Sequence, residues 1–302
     1  MTDFRERYNR ALTDLYGLGT ALITPFKDDS SVDYDALERL LDIQLSGDTD
    51  YIVVLGTTGE AATLTDEEKT AVRDFIVSKV AGRLPLVLGV GGNCTAHVVK
   101  ELHRLAPVLT AHFTAVLSVC PYYNKPSQEG IYRHFCAIAE ASPIPVLLYN
   151  VPGRTGVNIT PETALRIHSA HLDKVCGIKE ASGNVPQIEH LLRQAPSDFL
   201  VISGDDGIAC QLMEAGAAGL ISVASNAFPA DFRKIIYNKD SALQARYAQM
   251  VHLLFAEGNP SGIKTVLAAQ GIISNCLRLP LVPNSDEIQT EIRCALRSLN
   301  DE

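Results

Sequence analysis

Tyr51-Ile52-Val53-Val54-Leu55 is an unbroken apolar run that passes through Gly56-Thr57-Thr58-Gly59-Glu60 towards Asp66–Val80, where Val72, Phe75, Ile76 and Val80 recur at helical spacing. Apolar residues without alternation mark a strand buried on both faces, which belongs to a parallel sheet wrapped in helices. The same unit repeats outward in both directions. Runs of this kind stand at Leu18–Ile23, Tyr51–Leu55, Leu84–Val90, Thr114–Val119, Pro145–Tyr149, Val175–Ile178, Phe199–Ile202 and Gly219–Val223. Each leads into a helix-like stretch, as Leu18–Ile23 leads to Asp35–Leu45 with Leu37, Leu40, Leu41 and Leu45. Eight such units predict an α/β fold, a (β/α)8 barrel. Thr65 with Glu68 three residues on predicts a capping box, and Thr160-Pro161 an N-cap with proline at the first helical position.

Outside the eight units, Phe4, Tyr8, Leu12 and Leu15 form one stripe of an amphipathic helix, so residues 1–17 read as an N-terminal helix or arm and residues 18–235 as the barrel. Residues 236–302 read as a C-terminal helical region, with pieces near Ala242–Phe255, Gly262–Gln270 and Ser285–Leu299. The 302 residues carry 26 basic and 35 acidic side chains, a net charge of −9. An acidic chain without a basic cluster is a poor partner for nucleic acid and is repelled by an anionic membrane surface. No apolar run approaches the ~20 residues that span a bilayer. The seven cysteines are odd in number, scattered, and without a Cys-x-x-Cys pair, which predicts neither a disulfide framework nor a thiolate zinc site. The expectation is a cytoplasmic protein with reduced thiols that works on small molecules.

In a barrel of this type chemistry belongs at the C-terminal ends of the strands. The second run ends in Gly56-Thr57-Thr58-Gly59-Glu60, whose hydroxyls and amides suit a carboxylate, though taken alone it reads equally as a glycine turn before a helix. The fourth ends in Pro121-Tyr122-Tyr123-Asn124 and the fifth in Tyr149-Asn150-Val151-Pro152-Gly153-Arg154-Thr155-Gly156. The sixth, Val175–Ile178, ends in Lys179 and Glu180. A lysine held out of water tends to shed its proton and act as a nucleophile towards a keto acid, and the plainer alternative is a lysine that reaches solvent or pairs with Glu180. The seventh ends in Ser203-Gly204-Asp205-Asp206, where Asp206 reads as a helix cap and Asp205 stays open. His168 and His171 have a metal-like spacing but no third ligand, so a surface helix terminus is the expectation and no metal is assigned. Gly89-Val90-Gly91-Gly92-Asn93 is too generic for a nucleotide site, and no cofactor is expected.

Together these strand ends resemble the dihydrodipicolinate synthase family, among the pyruvate-dependent class I lyases that include N-acetylneuraminate lyase. The resemblance runs from about Leu18 to the C-terminus and includes the thirty-residue step from Tyr149 to Lys179, together with Asn259-Pro260 and Lys264. It implies that Lys179 forms a Schiff base with pyruvate, that Thr57 and Thr58 hold the pyruvate carboxylate, and that Tyr149, Thr58 and Tyr123 relay protons. It further implies Arg154, Gly204 and Ile221 as substrate-binding residues, with Arg154 suited to a second carboxylate such as that of L-aspartate 4-semialdehyde. The implied activity is condensation of those two substrates in lysine and diaminopimelate biosynthesis. The implied assembly is a homotetramer of dimers, with Tyr123 lent across subunits. A sister aldolase for a 2-keto-3-deoxy sugar acid or N-acetylneuraminate, and a catalytically silent barrel, are the other readings. The family's feedback site for lysine uses a histidine and a glutamate where this chain has Lys69 and His97, with Asp66, Asn93 and Tyr122 beside them, so weak or absent inhibition by L-lysine is expected.

Overall fold

The computed structural model describes residues 2–300. Eight parallel strands close a barrel in sequence order: β1 (Gly17–Ala21), β2 (Tyr51–Val54), β3 (Leu86–Gly89), β4 (Ala115–Val119), β5 (Val146–Asn150), β6 (Val175–Glu180), β7 (Leu200–Ser203) and β8 (Gly219–Ser222). Side chains alternate between two destinations. Ile52, Val54, Leu148, Ile178 and Leu220 pack outward against the helices, while Val53, Leu147, Tyr149, Ile202 and Ile221 fill the interior. The expected alternation of strand and helix holds, with helix bounds such as Tyr34–Ser46 and Asp66–Val80. Both sequence caps form: Glu68 N–H donates to Thr65 Oγ1 while Thr65 N–H donates to the Glu68 carboxylate, and Thr163 N–H donates to Thr160 Oγ1. Helices Ser241–Phe255, Ser261–Ala269 and Asp286–Asn300 follow the helix Pro229–Asn238 that trails β8.

The N-terminal helix, Thr2–Asp14, closes the barrel's N-terminal end. Tyr8, Ala11 and Leu15 are fully buried and join the interior cluster of the strands, and the Tyr8 hydroxyl donates to the carbonyl of Asp198, 190 residues away, at 2.5 Å. The Tyr8 and Leu15 of the expected stripe are its buried members, Ala11 adds to them, and Phe4 stays partly exposed.

Two expectations are corrected. His168 is not at a surface terminus: it lies in the last turn of helix Pro161–Ala170, almost wholly buried, with Nδ1 2.9 Å from the Val175 carbonyl and its ring against Phe199. The cap expected of Asp206 belongs to Asp205, whose carboxylate accepts from Gly207 N–H at 2.8 Å. Asp206 instead points inward and accepts from the Ser222 hydroxyl and from Val223 N–H at 3.1 Å, fastening the rim to β8.

Burial pushes the Asp206 carboxyl up to about 6. The folded protein therefore keeps this proton after the unfolded chain has lost it, so unfolding free energy falls as pH rises between about 4 and 6. Asp206→Asn is expected to remove that slope, which carries on the order of 2–3 kcal/mol across the window. Thermal or urea unfolding of both proteins from pH 4 to 7 measures it, and parallel stability curves would refute the assignment.

Candidate active site

Lys179 owes its direction to a β-bulge. Val146 pairs with Val175 but Leu147 pairs with Gly177, so Cys176 is an extra residue in β6. Without it, alternation from the inward Cys176 would turn Lys179 outward to the helices. With it, Ile178 faces out beside Leu148 and Lys179 faces in beside Tyr149. Gly177 permits the bulge because a Cβ there would lie 2.2 Å from the Leu200 carbonyl oxygen.

Lys179 is 6% exposed, and its Nζ lies 4.6 Å from the centre of the Tyr149 ring. Register places Tyr149 and Lys179 side by side on neighbouring strands. Gly204, at the end of β7, leaves room for the lysine chain: a Cβ there would stand 2.9 Å from Lys179 Cε and 2.6 Å from Ala181 Cβ. Pairing with Glu180 is excluded, because Glu180 sits on the outward face of the strand. Its carboxylate accepts from Ser182 N–H at 2.8 Å and from Asn150 Nδ2 at 2.9 and 3.2 Å. That network locks the ends of β5 and β6, the residues immediately after the Tyr149–Lys179 pair, and burial raises the Glu180 carboxyl.

The loop after β2 supplies Thr57, exposed, and Thr58, buried. Thr58 Oγ1 accepts from Asn259 Nδ2 at 2.9 Å, and the Asn259 carbonyl accepts from Arg154 Nη2 at 3.2 Å. Asn259, which lies outside the expected site set, thus joins the threonine loop to the arginine. Arg154 is exposed on the short helix Pro152–Thr155 after β5. Tyr123 follows β4 and is 83% exposed in left-handed backbone, with its N–H directed to the Thr155 carbonyl at 3.4 Å; Tyr122 beside it is also exposed. Ile221 is fully buried in β8 within the interior cluster that contains Tyr149. The strand ends therefore bring Lys179, Tyr149 and Gly204 into contact, and join Thr58, Asn259 and Arg154 into a second set.

Four of the expected regulatory residues, Asp66, Lys69, Asn93 and His97, lie on the helices Asp66–Val80 and Thr95–His112 and the loop before the second, whereas Tyr122 follows β4 beside Tyr123. Lys69 Nζ is 3.3 Å from Asp66, so its charge is partly answered within its own helix. His97 and Asp66 both act on Glu101, whose carboxyl the Arg104 guanidinium holds low. Among the described residues no group of three or more His, Cys, Asp or Glu side chains is arranged to hold a metal ion, and no helix is long and apolar enough to cross a membrane. A cavity of about 510 Å³ opens at the opposite end of the barrel, beside Arg7, Leu84 and Phe113, and none of the candidate catalytic, substrate-binding or regulatory residues lines it.

The model of the dihydrodipicolinate synthetase family matches residues 14–299. The chain belongs to that family. It is 51% identical over 297 residues to the 4-hydroxy-tetrahydrodipicolinate synthase of Parabacteroides distasonis, covering 95% of this chain and 98% of that protein. Among solved structures, the chloride-inhibited dihydrodipicolinate synthase of Acinetobacter baumannii complexed with pyruvate superposes with a TM-score of 0.89 at 38% identity, over 95% of this chain and 99% of that one. A monomeric dihydrodipicolinate synthase variant does so with a TM-score of 0.90 at 38% identity, over 96% and 98%. Members of the family share the closed eight-stranded barrel described above, and the chain is accordingly a lyase.

Proposed function

We propose that the protein condenses pyruvate with L-aspartate 4-semialdehyde to 4-hydroxy-tetrahydrodipicolinate, the step its curated relatives are named for, in lysine and diaminopimelate biosynthesis. The observation that carries the reading is the inward aim of Lys179 beside Tyr149 at the C-terminal rim. Lys179 Nζ attacks the keto carbon of pyruvate, and loss of water leaves an imine. Removal of a methyl proton gives the enamine, whose carbon attacks the aldehyde and forms the new C–C bond. The amine of the semialdehyde then displaces Lys179 from the imine carbon, closing the ring and freeing the enzyme, so that one water is lost overall.

Tyr149, Thr58 and Tyr123 are the proton carriers in this scheme. A phenol is a weak base alone, but hydroxyls in a hydrogen-bonded row move protons to and from water. Thr57 and Thr58 take the pyruvate carboxylate, Gly204 and Ile221 shape the pocket, and Arg154 takes the carboxylate of the semialdehyde. Tyr122 and Tyr123, exposed at the rim, are the side chains a second copy would cover, so we assign a homodimer, paired into a tetramer, with Tyr123 entering the neighbour's site; the existence of a monomeric relative makes sedimentation the deciding measurement. The unpaired cysteines fit a reducing, cytoplasmic setting.

Assay with pyruvate and either aspartate semialdehyde or sugar aldehydes tests the substrate, and preference for a sugar aldehyde would overturn it. Arg154→Ala is expected to lower kcat/KM for the semialdehyde about 10- to 100-fold, the worth of a charge-assisted hydrogen bond of roughly 1.5–3 kcal/mol, while leaving pyruvate imine formation intact. A loss confined to pyruvate would contradict the role.

L-Lysine is expected to inhibit weakly or not at all at millimolar concentration. Its two ammonium groups meet Lys69 and His97 rather than a carboxylate, with Asp66, Asn93 and Tyr122 as the remaining polar contacts. An activity titration with half-inhibition below a millimolar would refute this, and Lys69→His with His97→Glu is expected to raise sensitivity.

A further inference from the structure

The threonine loop and the segment carrying Asn259 are joined a second time, deeper in the protein, by two charged side chains that the chemistry above does not use. Glu60, in left-handed backbone at φ 51, places its carboxylate 2.5 Å from Lys264 Nζ, and both side chains are fully buried. Lys264 Nζ also donates to the Cys276 carbonyl at 3.0 Å and lies 4.1 Å from the centre of the Phe26 ring. The second Glu60 oxygen accepts from Arg278 N–H at 3.3 Å, whereas the first has no well-directed hydrogen-bond donor and is held by charge.

A buried ion pair is a poor device for stability alone, since removing two charges from water costs about as much as their attraction returns, and apolar pairs of similar volume often serve as well. Its position suggests another use. Glu60 lies two residues beyond Thr58 and Lys264 five beyond Asn259, so the ion pair fixes the spacing of the two segments whose side chains meet at the Asn259 Nδ2 to Thr58 Oγ1 bond. Because Thr58 Oγ1 accepts there, its own proton is directed away from Asn259. The other face of Asn259 is anchored through Arg154.

We propose that Glu60 and Lys264 are positioning residues that hold Thr58 against Asn259 and so fix the direction in which the Thr58 hydroxyl passes its proton. This rests on the reading of Thr58 as a proton carrier. Neither side chain touches substrate. Their effect belongs to the steps after imine formation, in which protons move, and not to capture of pyruvate.

The deciding variant is Glu60→Met with Lys264→Met, which removes both charges at similar volume and leaves neither unpaired. It is expected to melt at or near the parent temperature and to trap pyruvate on Lys179 under borohydride as the parent does. Its kcat is expected to fall about 10- to 100-fold, as a displacement near 1 Å produces, with pyruvate KM changed far less. A stable double variant with parental kcat would show the pair to be structural only and overturn the proposal. Should that variant not fold, Asn259→Ala, which buries no charge, is expected to show the same split between kcat and pyruvate KM, and unchanged kcat there would overturn it equally. Failure of the parent itself to trap pyruvate on Lys179 would instead count against the proposed function.

Discussion

Lys179→Ala is expected to lower turnover by roughly 10³-fold or more, because no other described side chain places an amine beside Tyr149 inside the barrel and the loss of a covalent nucleophile is not made up by binding. The fold should persist, since a truncated lysine at 6% exposure leaves only a small cavity beside Gly204. Borohydride reduction in the presence of pyruvate gives the complementary result: one pyruvate-derived mass on the parent chain, located at Lys179, and none on the variant. Mass on another lysine would remove the central assignment.

Gly204→Val carries the second large effect. A Cβ at that position already stands 2.9 Å from Lys179 Cε and 2.6 Å from Ala181 Cβ, and the added methyls extend the conflict. The lysine chain has to leave its path, so the rate of imine formation is expected to fall by about 10²-fold, with Gly204→Ala between the variant and the parent. Rapid-quench trapping of the pyruvate adduct reads this directly. An adduct formed at the parental rate would mean that Gly204 does not shape the lysine's space.

Much of this molecule is legible in its sequence for a physical reason. A strand with helices on one side and the barrel interior on the other tolerates few polar residues, so Tyr51–Leu55 and its seven counterparts stand out as apolar blocks, and the polar residues that close them mark the rim. Strand ends are less sharply written. The first run, Leu18–Ile23, becomes Gly17–Ala21, and Lys179 and Glu180 prove to be members of β6 rather than its sequel. Phase is not written at all: the extra Cys176 inverts the facing of everything after it, and no local pattern distinguishes that bulge from a regular strand.

Polar residues near the rim show the same limit. Asp205 and Asp206 are adjacent and chemically identical, and only the path of the backbone decides which caps and which is buried against Ser222. His168 is misplaced by sequence because its neighbour in space is Val175, across a turn. Glu60 and Lys264 are fully visible as letters, yet their meeting depends on 203 residues of intervening fold, and Asn259 is apparent only once Thr58 and Arg154 are both in place.

The helix Thr2–Asp14 also sets an order of events during synthesis. It emerges from the ribosome ahead of every strand, yet the Tyr8 hydroxyl finds its short hydrogen bond at Asp198, 190 residues later. At about 5–20 residues per second that is on the order of 10–40 s during which the Tyr8 hydroxyl lacks that partner and the interior cluster around the stripe is incomplete. β1 waits longer still, for β8 at Gly219. Barrel closure and seating of the helix are thus late, long-range contacts of the kind that slow folding and expose sticky surface meanwhile. The demand falls on whatever shields Tyr8, Ala11 and Leu15 in the nascent chain, and it comes from the closed ring itself.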